Sequence, residues 1–259
     1  MDHQMNQQSR PKVTTRNLSV FFNGQQVLNN INTDLLSDRV SVAVGPSGSG
    51  KTTFLRCLNR LNEFFPGCVV SGDVFLELDE GRIDCNNGKY PLTRLRQKVG
   101  MVFQHPNLLP FSIEKNLAMP LKLTMGLDSK TITERIQWSL QEVGLWEEVK
   151  DRLKKGALEL SGGQQQRLCL ARVVSLKPEV ILLDEPSASL DYKSSAKIEE
   201  MILRLKKKYT ILAVTHSLSQ MQRIADTVFV FKNGEITNLI EDYQTADADE
   251  CMDMIQKAF

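Results

Sequence analysis

The run Gly45-Pro46-Ser47-Gly48-Ser49-Gly50-Lys51-Thr52 holds the densest chemistry in this sequence. Its glycines let successive backbone N–H groups converge on one anion without Cβ collisions. Lys51 supplies a cation on a long stem, and the Thr52 hydroxyl can ligate a hard divalent ion such as Mg²⁺. The spacing GxxxxGK[ST] is that of a loop that cradles nucleotide phosphates, provided a strand precedes it and a helix follows. Both flanks fit. Residues 40–44 are short, apolar and β-branched, and Phe54, Leu55, Leu58 and Leu61 fall on one helical face. The N-terminus of that helix adds partial positive charge at the anion. Residues 45–52, together with Thr53, are the expected phosphate-binding set.

A second chemical feature is four apolar residues ending in two carboxylates, Val180-Ile-Leu-Leu-Asp184-Glu185. A buried strand of this kind delivers its acids to the C-terminal edge of a sheet, where ligands bind in α/β folds. Asp184 is the candidate Mg²⁺ partner, acting from behind the direct ligands or through water. Glu185, one residue further on, is the candidate general base for an attacking water. Asp184 and Thr52 are the expected metal partners.

The elements that must position these groups follow from periodicity and punctuation. Residues 13–22 read as a strand ending in the turn Asn23-Gly24. Residues 74–78 and 99–103 read as further strands, with Gly72 and Gly81 as turns. Residues 107–160 carry helical signals. Thr131 and Glu134 fit a capping box before the stripe Ile132, Ile136, Leu140 and Val143. This block is either a helical insert or a long crossover. Strands are expected at 180–183 and 210–214, helices at 193–205 and 218–225, and a hairpin about Asn233-Gly234. Residues 245–259 read as a terminal helix. Alternating strands and helices predict an α/β sandwich with a mostly parallel core. Residues 1–12 are expected to be a flexible tail, and 13–259 a single domain.

Composition narrows the function. The 32 basic and 31 acidic residues leave a formal charge of +1. That argues against a dominant attraction to nucleic acid or anionic lipid. The five cysteines, Cys57, Cys68, Cys85, Cys169 and Cys251, include no CxxC pair, so they read as free thiols rather than a zinc site. No run approaches the roughly 20 apolar residues that span a bilayer.

One more segment, Leu160-Ser161-Gly162-Gly163-Gln164-Gln165-Gln166-Arg167, stands between the glycine loop and the acidic strand. In this order the three motifs make the chain resemble the ATP-binding subunits of ABC transporters, over about residues 13–240. The resemblance implies a P-loop NTPase fold of the ABC ATPase type: a RecA-like core and an antiparallel β subdomain (13–104 and 161–240), and a helical subdomain (105–160). It implies that Phe22 stacks on adenine, although alternation leaves open whether Phe21 or Phe22 points inward. It also implies that Gln104 meets Mg²⁺ and water, that Asp191 lies on a loop crossing a dimer interface, and that His216 contacts the γ-phosphate. Lys51, Gln104, Glu185 and His216 are then the catalytic set. Two copies would pack head to tail over two ATPs, each ATP touching the glycine loop of one and Ser161, Gly162, Gly163 and Gln164 of the other.

The family's importers further imply two transmembrane permease subunits and an external solute-binding protein. They imply a peripheral position on the cytoplasmic face of the inner membrane, and no nucleic-acid partner. Leu108, Leu109, Pro110 and Phe111 are the implied contacts to a permease. Residues 99–106, 135–140, 145–146, 150–153 and 164–169 resemble the subgroup that takes up inorganic phosphate. Another small solute, or an ABC ATPase outside transport, are the alternative readings. Phe21-Phe22, Thr52, Ser189 and Tyr192 depart from that subgroup's pattern, and none removes a catalytic group.

Overall fold

The computed structural model describes residues 10–257. β1 (Pro11–Phe22) and β2 (Gln25–Leu36) form an antiparallel hairpin about Asn23-Gly24. β3 (Val40–Val44) runs into the glycine loop and then α1 (Lys51–Cys57). β4 (Cys68–Leu78) and β5 (Gly81–Asp84) complete an antiparallel sheet of order β2-β1-β4-β5. α2 (Leu92–Lys98) leads to β6 (Val99–Val102). Then come α3 (Ile113–Met125), α4 (Ser129–Glu142), the short α5 (Trp146–Val149) and α6 (Gly162–Ser175). β7 (Val180–Asp184), α7 (Tyr192–Leu205), β8 (Thr210–Val214) and α8 (Leu218–Ile224) follow. β9 (Thr227–Lys232), β10 (Glu235–Ile240) and α9 (Ala248–Gln256) end the described chain.

The second sheet has the order β10-β9-β3-β8-β7-β6 and is parallel except for the β9–β10 hairpin. Every residue of β3, β7 and β8 is buried. Strands covered on both faces cannot alternate polar with apolar, and so VSVAV, VILLD and TILAV read as continuous runs. One face of this sheet packs with α1 against the antiparallel sheet, with Phe54 and Phe231 rings 5.5 Å apart. The other face packs on the helices, through residues such as Leu117, Leu140, Leu168 and Ile202. The parallel order brings the C-terminal ends of β3, β8, β7 and β6 side by side. The register pairs Asp184 with Val214, and Leu183 with Val102.

Several expectations are corrected. The strand starts at Pro11, so Pro11 and Lys12 do not belong to a tail. Proline is tolerated as a first strand residue, and the Lys12 ammonium donates to Glu179 Oε2 at 2.6 Å. Residues 1–9 lie outside the described residues. β2 was not foreseen, because irregularities against β1 and left-handed Asn30 (φ 50°) break its two-residue period. Gly72 is not a turn. It sits within an 11-residue β4, where a register shift against β1 places it beside Asn17. A Cβ there would lie 2.3 Å from the Asn17 carbonyl oxygen. The helix after the glycine loop stops at Cys57, and Leu61 opens a separate 3-10 turn. The cap of α4 is Asp128, which accepts from the Thr131 N–H at 2.9 Å and from its hydroxyl at 2.9 Å. Thr131 is therefore a partner of the cap. The terminal helix begins at Ala248, three residues after its expected start, behind an Asp247 cap. No helix among the described residues is long and apolar enough to cross a membrane.

Candidate active site

Lys51 is buried at the start of α1. Its ammonium donates to the carbonyl oxygens of Gly45 (2.9 Å) and Pro46 (2.7 Å) and to Ser49 Oγ (3.2 Å), so it lies against the loop it closes. Burial lowers its pKa from the ordinary lysine value, and the nearby Glu185 and Asp184 charges oppose that shift. The β9–β10 turn braces the loop from behind through the Gly234 N–H, which donates to Ser49 O at 3.1 Å.

Gly45 has φ +143°, and a Cβ on it would sit 2.1 Å from the Phe231 carbonyl oxygen. The obstacle is backbone in a packed strand, so it cannot swing aside. Gly45→Ala is expected to lower stability by about 2–4 kcal/mol and to weaken ATP binding, because the strain falls on both the left-handed region and a close contact. Urea unfolding and nucleotide titration of the variant measure the two effects.

Asp184, the last residue of β7, accepts a hydrogen bond from Thr52 Oγ1 at 2.8 Å. Burial pushes its carboxyl above the usual aspartate range, and the Thr52 hydroxyl, Arg56 and Lys51 pull the other way. Glu185 follows in the left-handed region, φ +46°, directly before Pro186. Its N–H donates to Val214 O at 3.0 Å, which pins the turn to the end of β8. Gln104 Nε2 donates to Glu185 Oε2 at 3.1 Å, and His216 Nε2 lies 2.5 Å from Glu185 Oε1. Each oxygen of this one carboxylate therefore meets a side chain from a different strand end.

The 160–167 segment opens α6. Ser161 is its N-cap, with its hydroxyl accepting from the Gln164 N–H at 3.4 Å and Gln164 Oε1 accepting from the Ser161 N–H at 3.1 Å. Gly163 lies against α7: a Cβ there would meet Ser194 Cβ and Oγ at 2.9 Å. Asp191 caps α7, accepting from the Ser194 N–H (3.0 Å) and hydroxyl (2.7 Å), and these bonds hold its pKa below the usual range. Asp191 and Gly163 thus share Ser194 as a neighbour.

The family model for ABC transporters matches residues 28–188, more than half of the chain. The chain belongs to the ABC transporter family. The phosphate import ATP-binding protein PstB of Ehrlichia ruminantium (strain Gardel) is 45% identical over 235 residues, covering 90% of each chain. Its counterpart from Cytophaga hutchinsonii is 41% identical over 225 residues, covering 87% of this chain and 89% of that one. Among solved structures, cbiO1 from Clostridium perfringens, part of the ABC transporter complex cbiONQ, superposes with TM-score 0.78 at 25% identity, covering 95% of this chain and 94% of that one. The ATP-binding cassette MJ0796, in a dimeric post-hydrolysis state bound to ADP and Pi, gives TM-score 0.74 at 27% identity, covering 88% and 98%. The fold is accordingly that of a RecA-like ABC ATPase, and the chain is an ABC-type ATPase.

Within this ABC cassette the structure brings Lys51, Thr52, Asp184, Glu185, Gln104 and His216 to neighbouring strand ends. Phe22 lies at the end of β1, in the antiparallel sheet. It is half-buried, edge-on to Phe65 with ring centroids 6.1 Å apart, and Arg56 lies over the Phe65 ring at 5.1 Å. Phe21 is half-buried as well, so the alternation does not separate the two.

Three supporting contacts are not legible in the sequence. Gln166, buried on α6, donates to the Phe103 carbonyl at 2.9 Å and so holds the backbone just before Gln104. Gln220 on α8 donates to Ser187 Oγ at 2.7 Å and ties the loop after Glu185 to the helix after His216. Glu148 on α5 accepts from both Gln164 and Arg167. Their only sequence signal is position within or near a motif, because each acts through a contact distant along the chain.

Proposed function

We propose that this chain is the ATP-hydrolysing subunit of an importer that energises uptake of inorganic phosphate. It would act as a pair of copies beneath two membrane-spanning permease subunits, fed by an external phosphate-binding protein. The observation that carries the hydrolytic part is the single carboxylate of Glu185 held between Gln104 and His216, beside the Lys51 loop. The cargo and the importer assembly rest on the 45% and 41% identity to the phosphate import proteins named above.

In this reading the loop amides of residues 45–52 and the Lys51 ammonium bind the β- and γ-phosphates. Phe22 offers its ring to adenine. Thr52 Oγ, Asp184 and the amide oxygen of Gln104 are hard oxygen donors and suit Mg²⁺. Bound there, Mg²⁺ would neutralise charge on the phosphate oxygens. Glu185 orients the attacking water and takes its proton. His216 fixes Glu185 and faces the γ-phosphate. Ser161, Gly162, Gly163 and Gln164 of the second copy close over the same phosphate with the N-terminus of their helix, while the Asp191 loop crosses between copies. The dimeric solved relative supports the pairing. Hydrolysis removes the anion that both copies hold, so the pair opens and the permeases move with it.

The test uses the assembled complex in proteoliposomes. Adding the binding protein loaded with inorganic phosphate is expected to raise ATP turnover several-fold, and sulfate is expected to do nothing. Stimulation by another solute, with none by phosphate, would overturn the cargo.

A further inference from the structure

We infer that Glu148 is a positioning residue for the neighbouring copy's ATP site: it sets the geometry of the Ser161 turn through the side chain of Gln164. This rests on the two-copy reading above.

The connection is short and continuous. Gln164 Nε2 donates to Glu148 Oε2 at 2.8 Å, and the other end of the same amide, Oε1, accepts from the Ser161 N–H at 3.1 Å. An amide that donates to a carboxylate becomes a better acceptor at its oxygen, so the two bonds strengthen each other. The Ser161 hydroxyl closes the reciprocal cap by accepting from Gln164 N–H at 3.4 Å. One carboxylate therefore governs the turn whose helix amides are to meet the partner's γ-phosphate.

Glu148 is itself held from two other directions. Arg167 is buried and grips it with two parallel bonds, Nη1 to Oε1 at 2.9 Å and Nη2 to Oε2 at 3.0 Å, while its Nη1 also donates to Gly144 O at 2.7 Å. Paired bonds of this type fix direction as well as distance. Lys197 on α7 reaches Glu148 Oε1 at 3.4 Å. Arg167 and Gln164 hold the carboxyl down to about 2, so it stays ionised throughout the physiological range. Two cations beside it prevent its charge from opposing an incoming anion. The clamp also joins three parts of the fold: Glu148 lies on α5 of the helical block, Gln164 and Arg167 on α6, and Lys197 on α7, whose first turn presses Ser194 against Gly163. The Ser161 turn is thus wedged between Glu148 on one side and the Asp191-capped turn on the other.

The experiment compares variants in a Glu185→Gln background, in which ATP is bound but not consumed. Three quantities are read on the full-length chain: Mg-ADP affinity of the single copy, the ATP concentration giving half-dimerisation, and the unfolding midpoint. Glu148→Ala is expected to raise the half-dimerisation concentration about tenfold while Mg-ADP affinity stays within twofold, since the glycine loop is untouched. Glu148→Gln keeps the volume, safeguards against a folding failure, and is expected to shift dimerisation in the same direction by several-fold. Arg167→Met removes the two bonds that fix the Glu148 carboxylate and so loosens its hold on Gln164. It is expected to lower the unfolding midpoint and to raise the half-dimerisation concentration by several-fold. Unchanged dimerisation in both Glu148 variants would overturn the inference. So would dimerisation losses that follow the drop in unfolding midpoint across the three variants, which would assign the effect to stability alone. If Glu185→Gln itself stays monomeric with ATP, the two-copy reading falls first, before Glu148 is altered.

Discussion

Glu185→Gln is expected to lower ATP turnover by about 10²–10⁴-fold, the range that a positioned general base contributes. The replacement keeps the shape of the side chain and its place between Gln104 and His216, so nucleotide binding should be unchanged. What it loses is the ability to take a proton from water. The backbone supports this assignment. Glu185 is held left-handed at φ +46° immediately before a proline, a conformation that costs on the order of 1–3 kcal/mol and persists only where surrounding contacts impose it. The imposed contact is the bond from its N–H to Val214 O. Steady-state phosphate release, with nucleotide affinity measured on the same sample, gives the result. Turnover within threefold of the parent chain would move the base elsewhere, with His216 as the next candidate.

Lys51→Ala should act on the opposite step. Loss of the ammonium is expected to weaken ATP binding at least about 100-fold, on the order of 3 kcal/mol, as for removal of charge-assisted bonds to a phosphate in a partly dry site. The direction follows from what already surrounds the group. Burial disfavours its charge, yet Asp184 and Glu185 sustain it, and Gly45 O, Pro46 O and Ser49 Oγ aim it along the loop. Alanine leaves those carboxylates facing the triphosphate without a cation between them. Titration with a non-hydrolysable ATP analogue measures the loss. An affinity within threefold of the parent chain would mean that the loop amides alone hold the phosphates. Together the two variants separate binding from bond cleavage.

The structure also shows where local reading succeeds and where it stops. β3, β7 and β8 were legible because a strand buried on both faces must be apolar throughout. β2 was not, since left-handed Asn30 and the irregular register against β1 interrupt its alternation, and as the edge strand of its sheet its outer residues are free to be polar. Gly72 looked like a turn because a left-handed residue in a bulge and one in a turn leave the same mark on the sequence. The α4 cap was displaced to Asp128 because Thr131 can serve equally as an N-cap or as the donor to one.

By itself the sequence determined the phosphate loop, the two acids at the end of β7 and the α6 turn. Each is a device of contiguous residues whose backbone geometry is set by its own glycines, strand and helix. Only the tertiary structure decided which side chains would share a carboxylate. Gln104 lies 81 residues from Glu185, and they meet because β6 and β7 are parallel neighbours. Glu148 reaches Gln164 because α5 packs beside the start of α6, and nothing in the spacing announces it. A contact between distant segments depends on which faces are buried together, and that is a property of the packed core.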